Sequence, residues 1–428
     1  MKERAALFTY TGLDITTDTL TATYDLDERT FIETIVFEGV GPLDVPAVKS
    51  LAQLWYLMAG LSYYKAGAAK RIDVGAMPLG PKGRQLLEAA LHDGLGEFSF
   101  RNDLPLSDVV IDGGAPVEQC ELFVDPRRVL TPFGGGIDSV VTVTQLHENI
   151  DQALFVVSPS GTRFEPLEQT AAVTGLEIVR ATRTLDPQIL DGAHTFFNGH
   201  VPVTAMVTLL GAVAALASGR GGVVLSNEHS SSVANLRWND TDINHQWSKS
   251  WNAERLIADA IAERVGEELL VASFLRDRSE LWVAKMFSEQ VQFHRVFRSC
   301  NRAFSQVLQR RTTTWCGECD KCLFVNLVLA PFLSRSALRA IFSSEPLSDP
   351  QREEQLRTLV GIGLDHKPFE CVGDPDESAV ALREVACDEE WRDVPHLLEL
   401  AQQASPNRDL VELLAPEGPS RVPAHWLR

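Results

Sequence analysis

The sequence predicts an α/β protein built on a parallel sheet, and three observations predict it. Short continuous apolar runs at residues 129–133, 153–157, 177–181 and 222–226 alternate with helical stretches. Strands covered by helices on both faces lose the in-out alternation, so such runs mark a buried parallel sheet. A glycine-rich loop, residues 134–136, lies between the first run and a helix expected to open at Ser139. Ahead of these runs, shorter alternating segments predict a smaller α+β unit.

Residues 7–39 alternate at a period of two, with segments 21–24 and 30–37 separated by the turn-like Asp25, Leu26, Asp27 and Glu28; antiparallel strands are expected. Asp44 then precedes Val45 and Pro46, a helix start, and Leu51, Leu54, Trp55, Met58 and Leu61 recur at helical spacing. A second helix over 83–92 and a loop rich in Gly, Pro and Asp over 102–117 close this segment, placing a domain boundary near residue 118. The parallel-sheet unit is expected over residues 119–345. Residues 346–428 turn loopy and acidic and read as an appendage, weakly amphipathic over 377–400. There is no internal repeat and no low-complexity tract.

The chain has 428 residues, 45% of them hydrophobic, with 39 Lys and Arg against 58 Asp and Glu, a formal net charge of −19. The apolar content excludes a disordered or fibrous chain, and the length predicts two or three packed units. Nucleic-acid affinity comes largely from basic side chains displacing phosphate counterions, so no nucleic-acid partner is expected. The first residues carry no apolar signal segment, and the longest apolar span, 203–217, is too short to cross ~30 Å of hydrocarbon. A cytoplasmic protein with no membrane partner is expected.

Consecutive glycines let backbone N–H groups converge on an anion, and a following helix N-terminus adds partial positive charge. The segment from Gly134, Gly135 and Gly136 to Asp138 and Ser139 therefore suits a phosphate or pyrophosphate. It has neither the Walker ending nor dinucleotide-fold spacing. A purely structural strand-to-helix turn is the alternative. The loop resembles the Ser-Gly-Gly-x-Asp-Ser signature of the PP-loop ATP pyrophosphatases, which split ATP into AMP and pyrophosphate. Gly134 stands where that group usually has serine. The resemblance implies an adenine nucleotide alpha hydrolase-like core.

Three of the seven cysteines, Cys316, Cys319 and Cys322, sit at two-residue gaps, and Cys300 lies upstream. Such spacing suits a closed, structural tetrahedral Zn²⁺ site; a reduced thiol cluster, a redox pair and an iron–sulfur centre are the alternatives. Cys120, Cys371 and Cys387 fall outside the cluster and read as small buried hydrophobes. Polar strings carrying His200, Glu228, His245 and Lys249 follow or flank the predicted sheet, each holding a group able to move a proton. For any single histidine, a capping or hydrogen-bonding role is the competing reading.

Taken in order, the glycine loop, Asn198-Gly199-His200-Val201-Pro202, Ser226-Asn227-Glu228, Asn244-His245-Gln246, Ser248-Lys249-Ser250, the cysteine cluster and His366-Lys367-Pro368-Phe369-Glu370-Cys371 form a larger pattern. This set resembles the MurL family of ATP-dependent UDP-N-acetylmuramoyl-L-alanyl-L-glutamate epimerases over residues 130–375. The resemblance implies conversion of a terminal L-glutamate to D-glutamate in a peptidoglycan precursor, with ATP cleaved to AMP and pyrophosphate in the presence of Mg²⁺. It places pyrophosphate on Gly134, Gly135, Gly136 and Ser139, with Asp138 near Mg²⁺. It makes Lys249 a stabiliser of developing charge, and His200, Glu228, His245 and Cys371 the acid and base candidates. Lys367 is a candidate contact for a substrate phosphate or carboxylate. Two other readings compete: another PP-loop adenylating enzyme, of the deazapurine-nitrile synthase or amide ligase type, and a non-catalytic nucleotide-binding module.

Overall fold

The computed structural model describes residues 2–161, 163–191, 196–303, 311–363 and 368–427. Ten strands form one sheet: β1 (Leu7–Ile15), β2 (Thr19–Leu26), β3 (Arg29–Glu38), β4 (Arg71–Asp73), β5 (Val110–Asp112), β6 (Asp125–Pro132), β7 (Asp151–Pro159), β8 (Ile178–Thr184), β9 (Arg220–Leu225) and, after a separate hairpin of β10 (Leu236–Trp238) and β11 (Thr241–Ile243), β12 (Leu270–Ser273). The order is β12-β9-β6-β7-β8-β3-β2-β1-β4-β5. The five strands from β12 to β8 run parallel, as the buried apolar runs predict, and every residue of β9 is buried.

The N-terminal strands form the expected antiparallel meander, and they do more than that. β3 pairs antiparallel with β8 from Thr34 opposite Thr184 to Glu38 opposite Arg180, so one sheet runs through both regions flanking residue 118. One hydrophobic cluster likewise spans Phe8 on β1, Trp55 on the helix Pro46–Ala59, Leu209 on the helix Val203–Ala217 and Val223 on β9. β4 and β5 were missed because three residues are too few to show a period. β5 interrupts the loop expected over 102–117.

The expected appendage packs on the core. The helix Pro375–Cys387 shares a second cluster with the helix Asp320–Leu329, and Trp426 is fully buried in that cluster, close against Gly222 of β9. Among the described residues no helix is long and apolar enough to cross a membrane.

At the carboxyl ends of β9 and β12, Arg276 forms a buried hub. Its guanidinium donates to Glu254 Oε2 at 2.8 Å, to the Lys249 carbonyl at 2.6 Å and to the Glu228 carbonyl at 3.0 Å. Arg276 and Glu254 are each 1% exposed. Breaking a buried pair strands one charge without compensation, which costs about 3–5 kcal/mol. Arg276→Met is therefore expected to lower unfolding free energy in urea by about 3–5 kcal/mol, and a loss under about 1 kcal/mol would contradict the hub's role.

Candidate active site

A cleft of about 380 Å³ opens at the carboxyl ends of the parallel strands. Pro132, Phe133, Gly134, Gly136, Asp138, Ser139, Asn227, Lys249, Lys321 and Cys371 are among its lining residues. This is where an open parallel sheet places its ligand. The predicted glycine loop thus sits at the cleft, but its helix starts at Ile137 rather than Ser139. Extended Gly136 (φ −89, ψ 177) is the N-cap, which moves Asp138 and Ser139 into the first turn. Gly135 has φ +73, the left-handed region open to glycine at least cost. Nothing lies within 4 Å of where a Cβ on Gly134 would stand, so the loop backbone is open to an anion there.

Asp138 Oδ1 is buried and has no hydrogen-bond partner among the described residues. Burial pushes its carboxyl above the usual range; Lys321 and Lys249 oppose this, whereas Glu228 adds to it. An orphaned buried carboxylate oxygen beside a phosphate-type loop fits the hard, oxygen-seeking character of Mg²⁺.

The acid and base candidates separate clearly. Glu228 is tied into structure: its carboxylate caps the turn His229–Ser232, accepting from Ser231 N at 3.0 Å and from Ser230 Oγ at 3.4 Å. Burial would raise its carboxyl, but Lys249 and Arg276 bring it below the usual range. His200 and His245 stand side by side, ring centroids 4.3 Å apart. Burial, aided by the neighbouring His245, lowers His200 to about 4, so it is neutral near pH 7.

His245 and Cys371 are electrostatic partners. Burial opposes charge on both, yet each stabilises the charged form of the other. His245 is raised to about 9 by Cys371 and Glu97, and Cys371 is lowered to about 6 by Lys249, His245 and Lys321. Between these values the pair is a thiolate and an imidazolium. Lys249, half-buried at the cleft, is held protonated by Cys371 and Asp138 against the cost of desolvation. Cys371 is therefore a cleft residue, unlike the small hydrophobe it reads as from sequence; Cys120 is half-buried and Cys387 exposed.

The local chain holds this geometry. Asn235 receives the His245 N–H on Oδ1 at 2.7 Å and donates to the Pro368 carbonyl at 2.7 Å, while Gln246 donates to the Val372 carbonyl at 3.2 Å. His366 and Lys367 lie outside the described residues. Sequence reasoning missed Glu97, whose Oε2 is 2.5 Å from His245 Nδ1 and which Arg101 braces from one turn on, its Nε 2.5 Å from Oε1. No local motif marks Glu97; its partner is 148 residues away.

The sulfur atoms of Cys300, Cys316, Cys319 and Cys322 lie within 4.8 Å of one another. Cys316 Sγ and Cys319 Sγ stand 3.6 and 3.4 Å from Cys322 Sγ, near the ~3.8 Å edge of a tetrahedron with Zn–S bonds of ~2.3 Å. The donor set and spacing fit Zn²⁺.

The MurL N-terminal domain model matches residues 1–274, and the MurL C-terminal domain model matches residues 296–412. The chain belongs to the MurL family. Three MurL relatives carry the name UDP-N-acetyl-alpha-D-muramoyl-L-alanyl-L-glutamate epimerase. The protein from Micromonospora sp. is 36% identical over 94% of this chain and 91% of its own length. That from Salinispora tropica is 36% identical over 89% and 84%, and that from Xanthomonas oryzae pv. oryzae 34% identical over 98% and 96%.

Glu97→Gln removes the carboxylate that supports the imidazolium, so the Cys371 thiol is expected to rise above about 6. Alkylation of Cys371 by iodoacetamide, followed by peptide mass spectrometry, should slow several-fold near neutral pH and recover at alkaline pH. An unchanged pH profile would contradict the relay.

Proposed function

We propose that the protein epimerises the terminal L-glutamate of UDP-N-acetylmuramoyl-L-alanyl-L-glutamate to D-glutamate, with ATP cleaved to AMP and pyrophosphate. The observation that carries this reading is that a glycine loop at a helix N-terminus and the thiol of Cys371, whose charged form His245 and Lys249 favour, line one cleft. The first suits nucleotide phosphates. The second suits abstraction of a carbon-bound proton. The names of the relatives supply the substrate.

A proton α to a carboxylate is hard to remove, because its loss adds charge to an existing anion. Attack of the glutamate α-carboxylate on the α-phosphorus of ATP expels pyrophosphate and gives an acyl-adenylate whose carbonyl no longer carries the carboxylate's charge, so the same proton is far more acidic. The Gly134–Gly136 backbone and Ser139 hold the departing pyrophosphate, and Asp138 would hold Mg²⁺, which would supply charge neutralisation at the phosphates. Cys371 then takes the α-proton on its thiolate. Lys249 faces the enolate oxygen that develops, and Glu97 keeps His245 charged behind the sulfur. Return of a proton to the opposite face, followed by hydrolysis of the anhydride, releases the D-epimer and AMP. One ATP and one water are consumed per net turnover. Cys300, Cys316, Cys319 and Cys322 would hold Zn²⁺ as a closed four-thiolate site, which would stabilise the fold and supply no reacting ligand.

The reading predicts D-glutamate, AMP and pyrophosphate from the purified protein supplied with the muramoyl dipeptide, ATP and Mg²⁺, by chiral chromatography of the hydrolysed product. Cys371→Ala should cut epimerisation by about 10²–10⁴-fold while AMP still forms. Retention of full epimerisation by this variant would remove Cys371 from the role of base.

A further inference from the structure

Lys321 helps lower Cys371 from a distance, but the mechanism gives its ammonium no contact of its own. It is 9% exposed, lines the same cleft as Gly134, Gly136 and Ser139, and stands between Cys319 and Cys322 at the start of the helix Asp320–Leu329. Its Nζ lies 5.0 Å from the centroid of the Phe324 ring. Among the described residues it has no carboxylate within 4.0 Å and no hydrogen-bond partner. A buried ammonium without an anion is costly, so such a group marks a place where an anion arrives.

A second segment of the cysteine cluster reaches the same place. Arg298 and Ser299 immediately precede Cys300, and both line the cleft. The Arg298 backbone N–H donates to the Gly135 carbonyl at 3.1 Å, and Ser299 Oγ stands 2.6 Å from where a Cβ on Gly136 would be. The Arg298 side chain is already engaged, donating to the carbonyls of Thr313, Phe297 and Arg295. Among the described residues Lys321 thus has no ion pair or hydrogen bond in this corner, and Ser299 brings a hydroxyl beside the loop where Gly134 supplies none.

We infer that Lys321, assisted by Ser299, binds the β- and γ-phosphates of the nucleotide, and that the four-cysteine cluster serves to set these two side chains against the glycine loop. This rests on the nucleotide reading of the cleft. It assigns the cluster a part in substrate binding that a remote structural knuckle would not have. An ammonium on a phosphate makes charge-assisted hydrogen bonds, strong enough for its loss to be read in binding.

The test is calorimetric titration of α,β-methylene-ATP with Mg²⁺, and separately of AMP, into the full-length protein and its Lys321→Met and Lys321→Arg variants. Lys321→Met should weaken α,β-methylene-ATP about tenfold or more and leave AMP within about twofold, with Lys321→Arg recovering most of the loss. Equal affinity of Lys321→Met and the parent for α,β-methylene-ATP would overturn the inference, as would a parallel loss of AMP. If the parent binds neither ligand, the nucleotide reading fails and takes this assignment with it. Thermal melting and zinc content verify each variant's fold, and Lys321→Gln, with the same expected loss, replaces the Met variant if that fails to fold.

Discussion

One buried guanidinium organises the floor of the cleft. Arg276 is paired with Glu254 on the helix Trp251–Val265 and donates to the carbonyls of Glu228 and Lys249, so three separate segments converge on a group that cannot lose its charge. The Lys249 backbone is thereby fixed while its side chain stays at the cleft. Glu228 is drawn into the same lattice and becomes a turn cap. What the hub leaves at the cleft is Lys249 beside Cys371, behind which His245 and Glu97 follow in alternating charge.

That alternation makes an active thiol possible in a buried setting. Burial alone would keep Cys371 protonated and His245 neutral. Each is ionised because the other is, with Lys249 on one side and Glu97 on the other. The parts come from distant stretches: Glu97 from the N-terminal region, His245 from the loop after β11, and Cys371 from beyond the cysteine cluster. The β3–β8 pairing, which joins the meander to the parallel strands, makes the N-terminal region part of the same sheet. Asn301, hydrogen-bonded to Glu370, ties the segment after Cys300 to the one that carries Cys371.

How much of this was legible depended on sequence distance. The glycine loop and the cysteine trio were readable because their geometry is local: backbone N–H groups converge within one turn, and thiols separated by two residues come together. The strands β6 to β9 were readable from uninterrupted apolar runs. Glu97 was not, since a glutamate on a short helix looks like any solvated charge until its partner is seen. Glu228 read as a possible base because a carboxylate after a buried strand faces the ligand rim; the Ser231 N–H that captures it depends on backbone conformation. The helix start differed by two residues because Gly136, free of a side chain, caps the helix in an extended conformation. β12 was overlooked for want of length: four residues show no period.

In the proposed reaction, activation of the glutamate carboxylate precedes proton removal by the cleft thiolate. The most direct measurement is deuterium incorporation at the glutamate α-carbon in D₂O, with the muramoyl dipeptide present and ATP either supplied or withheld. The account predicts incorporation with ATP and Mg²⁺ and none above background without them. Exchange at the same rate in the absence of ATP would show that the proton leaves an unactivated carboxylate, and would contradict it.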